Sequence, residues 1–289
     1  MCAIDNPKRV QSALSALDSF FVVKSKKGGK TTDKIFKYSE HGGEIIITGL
    51  KKGVSDTSIV IPETIDGMPV VEIRPRAFEY TSIADIKIGE NIRVIGNDAF
   101  YLCKKLSSVT WNRKCDVIPA YCFAGCSNLT QFDFSDIKKV DRAAFYESGL
   151  KEVCLPENIE VVSGWAFFEC KKLSSVIWNC KCNVIPVDCF ARCSDLTQFD
   201  FSNIKRIEVR AFRDSGLTSV TLSKGTAFGQ SCFAQCNGLK KIEWLSGQNI
   251  EGKIFEGCKN IKEIFISDKV KNIEASAFAS SPNVEISFI

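Results

Sequence analysis

Histidine occurs once in this chain, as His41. A histidine-based catalytic triad or a multi-histidine metal centre has too little material here. Beside Gly42-Gly43, His41 reads as an exposed turn residue. No apolar run approaches the roughly 18 residues needed to cross a bilayer, so no membrane span is expected. A secretory signal is not read at the start either, because Asp18 interrupts the apolar stretch of Leu14, Leu17, Phe20 and Phe21. A strong charge of one sign is also missing. The 38 Lys and Arg against 34 Asp and Glu leave +4, with both signs interspersed, which gives no footprint for nucleic acid. Gly29-Lys30-Thr31 ends like a phosphate-binding loop, but Lys24 stands where that motif needs its first glycine.

What the chain does have is phenylalanine at regular intervals. Phe78, Phe100, Phe123, Phe145, Phe167, Phe190, Phe212, Phe233, Phe255 and Phe278 follow one another at 21 to 23 residues. A period in the twenties marks a solenoid, in which one short unit is stacked repeatedly. A longer period overlies it. Lys104-Lys105-Leu106-Ser107-Ser108-Val109 returns 67 residues later as Lys171 to Val176, and Leu129 to Ser135 returns as Leu196 to Ser202. A block of three coils is therefore duplicated.

One coil shows the scheme. Leu106, Val109 and Trp111 are apolar, with Ser108, Thr110 and Asn112 between or after them. Such alternation predicts a short strand with one buried and one wet face. Leu150-Val153-Leu155, Leu196-Phe199-Phe201 and Ile261-Ile264-Ile266 repeat it. Strands stacked about 4.8 Å apart make a parallel ladder, and ten coils make a curved rod roughly 50 Å long. The phenylalanines fill the opposite side of each coil as a core column. Ahead of the repeat, Val10, Leu14, Leu17 and Phe21 have helical spacing. The expected organisation is an N-terminal helix or hairpin cap over residues 1–43 and a solenoid over 44–289.

These coils resemble the BspA-like, or Treponema-type, leucine-rich repeats. The likeness is carried by Val153-Cys154-Leu155-Pro156, by Ala99-Phe100-Tyr101-Leu102-Cys103, and by a lead-in coil from Ile61 to Val70. It covers about residues 44 to 289. The resemblance implies an α/β solenoid, a right-handed coil with a parallel strand ladder on one face, built from about ten repeats of 22–23 residues. It also implies a bacterial surface adhesin, at the cell surface or secreted, whose protein ligand is a host or extracellular-matrix protein. No cofactor is implied.

The 14 cysteines include three CxxxC pairs, Cys122/Cys126, Cys189/Cys193 and Cys232/Cys236, a spacing that in isolation suits zinc or a disulfide. The repeat frame favours another account. The third position after each ladder phenylalanine holds Thr81, Ser148, Ser215 or Ser281 where it does not hold cysteine. A slot that accepts Thr, Ser or Cys is one for a small side chain, and a free thiol behaves as a small buried hydrophobe. Cys180 and Cys182 fall outside this frame, in the loop after a strand. Cys115 occupies the place of Cys182 one block earlier, where Arg113 replaces Cys180. Cys154 falls on the wet face of its strand as a candidate reactive thiol. Abundant free thiols favour a reducing compartment, which pulls against an extracellular setting.

No nucleophile and base present themselves. Asp133 and Asp200 share a phase but lie three coils apart, about 14 Å at the spacing of strands, beyond the roughly 6.5–9.5 Å of an inverting carboxylate pair. The expected function is therefore non-enzymatic: a protein-interaction module that binds a protein ligand along its concave strand face. The alternative is an intracellular scaffold or secreted effector using the same face. The outward positions proposed to meet the partner are Ser108, Thr110, Gln131, Asp133, Glu152, Ser175, Ile177, Gln198, Asp200, Glu243 and Phe265. Carbohydrate binding would need aromatic platforms on that face. Only Phe265 offers one, because Trp111, Trp178 and Trp244 point inward by phase.

Overall fold

A computed structural model describes residues 34–289 of the chain. The helix expected around Pro7 to Val23 and the lysine-rich segment after it lie outside the described residues. The rest forms a solenoid of about 11 turns carrying parallel strand ladders. Its core is the phenylalanine column. From Phe78 to Phe255 each ring is buried, and from Phe78 to Phe278 neighbouring rings stack at 5.4 to 5.7 Å with interplanar angles of 24° or less. Offset-stacked aromatics at this separation add attraction beyond the area they bury.

The label α/β needs correction, because no α-helix occurs among the described residues. The reason lies beside the column. From Phe78 to Phe233, residues two before and two after the ladder phenylalanines have left-handed backbone, as at Asp98 and Leu102 around Phe100 or Asp188 and Arg192 around Phe190. A right-handed helix cannot run through such residues. The segment opposite the strands is therefore a tight double turn. Its amides bond to the next coil, as Phe100 N–H does to the Cys122 carbonyl at 3.0 Å.

Two ladders of short strands run along the coil. The first holds the strands read from the Leu-x-x-Val pattern and falls into three strips. Ser58–Val60, Asp85–Lys87 and Ser108–Thr110 make one, Glu152–Leu155 and Ser175–Trp178 the second, and Ser219–Leu222, Lys241–Trp244, Glu263–Ile266 and Glu285–Phe288 the third. The gaps fall on the duplicated segments Leu129 to Ser135 and Leu196 to Ser202, both expected to be strands. Bulk explains the difference. Phe132 and Phe199 stand where other coils have Val109, Val153, Val176 or Val220. Phe132 lies 5.4 Å from Phe123 and 5.3 Å from Phe145, and Phe199 lies 5.6 Å from Phe190 and 5.1 Å from Phe212. A ring wedged against two column rings holds its coil out of ladder register.

The second ladder is made of two-residue strands and breaks at matching places. Val117–Ile118, Lys139–Val140 and Val161–Val162 pair together, as do Val184–Ile185, Arg206–Ile207 and Ala227–Phe228. Where the ladder continues, the residue after each strand donates across it: Ser163 N–H bonds the Val140 carbonyl and Glu208 N–H the Ile185 carbonyl, each at 2.9 Å. At the breaks before Val117–Ile118 and Val184–Ile185 that residue is Pro119 or Pro186. Proline has no N–H to give, so the ladder stops. A further break, between Ala227–Phe228 and the isolated Ile250–Ile273 bridge, has no proline.

At the N-terminal end, Phe36–His41 pairs antiparallel with Glu44–Leu50, which pairs parallel with Met68–Ile73. Gly42 and Gly43, both at positive φ, make the two-residue turn such hairpins favour. His41 is exposed and ends its strand immediately before that turn. Phe36 is buried and meets Phe78 edge-on at 6.5 Å, closing that end of the ring column.

Candidate functional site

The phase reading of the strand face holds for the strands that form. Glu152, Ser175 and Ile177 are exposed on the middle strip, where Glu152 pairs with Ser175 and Cys154 with Ile177. Ile177 keeps 44% of its surface exposed. Ser108 and Thr110 lie on the first strip opposite Asp85 and Lys87. Their row does not continue to Gln131 and Asp133, because the next coil has left the ladder. The eleven positions are therefore divided by the two gaps rather than set in one row.

The third strip draws several of them together. Thr221, Glu243 and Phe265 are successive partners across three strands, with Ser287 beyond. The Thr221 hydroxyl donates to Glu243 at 3.1 Å, and Lys241 pairs with the same carboxylate at 2.9 Å. The Lys241 ammonium also lies 5.0 Å from the Phe265 ring centroid, a cation–π distance. The Lys241 ammonium, and then the Thr221 hydroxyl, hold the Glu243 carboxyl below the usual carboxylate range. Beside this cluster a groove of about 280 Å³ opens at the second gap, lined by Gln198, Asp200, Ser219 and Thr221. Thr221 thus belongs to both groove and cluster. Gln198, Asp200, Glu243 and Phe265 form one continuous patch.

Asp133 and Asp200 also have a local task. Each accepts the amide of the residue two further on, Ser135 at 3.0 Å and Ser202 at 2.9 Å. This is the side-chain turn that aspartate makes readily. The tryptophans follow their expected phase. Trp244 is fully buried and Trp178 nearly so, while Trp111 is half-buried against the core. Each indole N–H donates to the carbonyl four residues on, at Cys115, Cys182 and Gln248, over 2.6 to 2.8 Å.

The cysteine slot has a partner that the sequence left unseen. Cys103, Cys126, Cys170, Cys193, Cys236 and Cys258 each donate to the carbonyl of the preceding ladder phenylalanine, over 3.0 to 3.2 Å. A small donor is what Thr, Ser and Cys share. All thirteen cysteines of the described residues are free, and no group there of three or more potential ligands could hold a metal.

A second surface feature lies on the turn side and was not singled out from sequence. Tyr146, Trp165 and Phe168 stack at 4.8 to 6.4 Å, with Arg142 over Trp165 and Arg192 over Phe168. The signal was available in the position after the ladder phenylalanines, which is aromatic in three coils, as Tyr101, Tyr146 and Phe168.

The sequence matches the BspA type leucine rich repeat region in six copies, over residues 52–174, 118–240 and 166–285. Among solved structures, the chain is similar to a leucine-rich repeat protein from Bacteroides ovatus, at 23% identity and a TM-score of 0.63, covering 86% of this chain and 80% of that one. It is also similar to a leucine rich cell surface protein from Faecalibacterium prausnitzii, at 20% identity and 0.51, covering 89% and 94%. The pneumococcal vaccine antigen PcpA aligns at 17% identity and 0.53, covering 80% and 74%. At these identities the likeness is one of fold. No curated protein matches the sequence. The matched repeats span most of the molecule, and the chain belongs to the BspA-type leucine-rich repeat family.

Proposed function

We propose that this chain is a non-enzymatic interaction module that binds a protein ligand on its strand face, centred on the patch running from Gln198 and Asp200 through Thr221 and Glu243 to Phe265. Leucine-rich repeat proteins generally mediate protein–protein interaction. The observation that carries the reading is the continuity of this patch. It combines a groove, a charged pair whose members are already oriented, and a partly exposed aromatic ring. Aromatic anchors beside polar groups are the usual energetic centre of an interface. Ser108, Thr110, Glu152, Ser175 and Ile177 extend the contact along the other strips, with Gln131 and Asp133 between them. The hairpin of Phe36–His41 with Glu44–Leu50 serves as the cap of the first coil.

The proposed ligand is a host or extracellular-matrix protein, with the chain acting as a surface adhesin; that the Faecalibacterium protein of similar fold is a cell surface protein supports this setting. Thirteen free thiols favour the second reading, a scaffold or effector working in a reducing compartment. Fractionation of the native source followed by immunoblotting separates the two. Recovery in the surface fraction supports the adhesin, and recovery only in the cytosol or the culture fluid overturns it.

A further inference from the structure

Where Pro186 ends the second ladder, a groove of about 640 Å³ opens between Val161–Val162 and Val184–Ile185. Cys182 lines it and is half-buried, with Sγ 3.2 Å from the Glu160 carbonyl oxygen. Cys180, also half-buried, places its Sγ 3.8 Å from the Cys182 carbonyl oxygen. Of the other eleven described cysteines, ten are buried and Cys154 is exposed. The duplicated block provides an internal reference. Cys115 holds the place of Cys182, but Arg113 replaces Cys180, and Cys115 is buried.

Burial pushes the Cys115 thiol up to about 11 and raises that of Cys154. Cys182 goes the other way. The neighbouring Cys180 thiol draws it below the ordinary thiol value against the effect of burial, helped by the Val162 backbone. An attacking thiol is most effective when its pKa lies near the ambient pH. The charged groups around the groove are Lys181 on the same loop, Glu160 on the preceding coil and Glu208 on the following one. Glu208 is already paired with Arg206 at 2.7 Å, which leaves Lys181 and Glu160 to meet a small ligand.

We propose that Cys180 and Cys182 form a thiol–disulfide exchange site for low-molecular-weight disulfides, with Cys182, which lines the groove, as nucleophile and Cys180 as resolving thiol. The Cys182 thiolate attacks one sulfur of the disulfide; the external S–S bond breaks, a mixed disulfide forms, and one small thiolate leaves. Cys180 then gives its proton to solvent and attacks the Cys182 sulfur. This forms the Cys180–Cys182 bond and releases the second small thiolate. Two protein thiols are oxidised, one external disulfide is reduced to two thiols, and the two small thiolates take up protons from solvent.

The test uses the reduced full chain with glutathione disulfide, quenched by acid, alkylated, and mapped by peptide mass spectrometry. The expected product is an intrachain Cys180–Cys182 disulfide in the wild type, and a glutathione adduct on Cys182 in Cys180→Ser. Loss of Cys182 at pH 7 should be at least about three-fold faster than loss of Cys154. Its rate should reach half of its plateau at a lower pH than that of Cys154. Reaction of Cys182 no faster than Cys154 overturns the proposal. So does a wild-type adduct that never resolves. Wild-type mapping alone is decisive, whatever the folding of the variant.

Discussion

A cysteine at the third position after a ladder phenylalanine ties six coils to the ones before them. Cys193, whose thiol donates to the Phe167 carbonyl at 3.2 Å, is fully buried. Burial pushes its own thiol well up, so it stays protonated and inert. Cys193→Ser should keep a donor in a slot that other coils fill with Ser148, Ser215 and Ser281, whose hydroxyls there meet Cys170, Cys236 and the Cys258 carbonyl. Cys193→Ala leaves the carbonyl without it and should be less stable by about 1 kcal/mol than the serine variant. Urea unfolding of the pair checks the ordering. Gly216 answers to a different constraint, since a Cβ there would lie 2.0 Å from the Ser194 carbonyl oxygen. Gly216→Ala should destabilise by about 1–3 kcal/mol, because backbone must move to admit one methyl. Phe145→Ala opens a void in the column and should lose roughly 3–5 kcal/mol in the same measurement.

At the scale of the element, the periodic residues made the ladder and column readable, since Leu150, Val153 and Leu155 or Phe167 and Phe190 repeat at fixed spacing. The breaks were written in single residues whose effect depends on the neighbouring coil. Phe132 and Phe199 keep the apolar pattern of a strand, so their excess bulk does not show in periodicity. Pro119 and Pro186 matter only because the position they fill donates a bond elsewhere. The left-handed pairs around each phenylalanine are held mostly by ordinary residues such as Leu102, Glu147 and Arg192, which gives no composition signal against a helix. The site was legible in part. Ile177 and Phe265 follow from phase, whereas the joining of Asp200 to Glu243 through Thr221 required the fold. The ladder break makes its own prediction. No backbone bond pairs Val184–Ile185 with Val161–Val162, while Arg206 N–H is bonded to the Asn183 carbonyl at 3.2 Å. Native-state hydrogen exchange should be faster at Val184 than at Arg206. Equal protection would close the gap that the groove depends on.

Across the whole molecule, the column supplies one continuous core while the strand face is divided into three strips. A repeat array holds together through neighbouring interfaces, so surface changes on the third strip should leave the folding of the others untouched. That separation permits the most direct test of the central claim, that the strand-face patch engages a protein partner. The full chain, a Gln198/Asp200/Glu243/Phe265 alanine variant and a Trp165/Phe168 alanine variant on the turn side would be immobilised at equal density, and partner capture compared after each fold is confirmed by circular dichroism. The account predicts that a partner held by the wild type is retained by the turn-side variant and lost, by ten-fold or more (about 1.4 kcal/mol), from the strand-face variant. Equal capture by wild type and strand-face variant would contradict it.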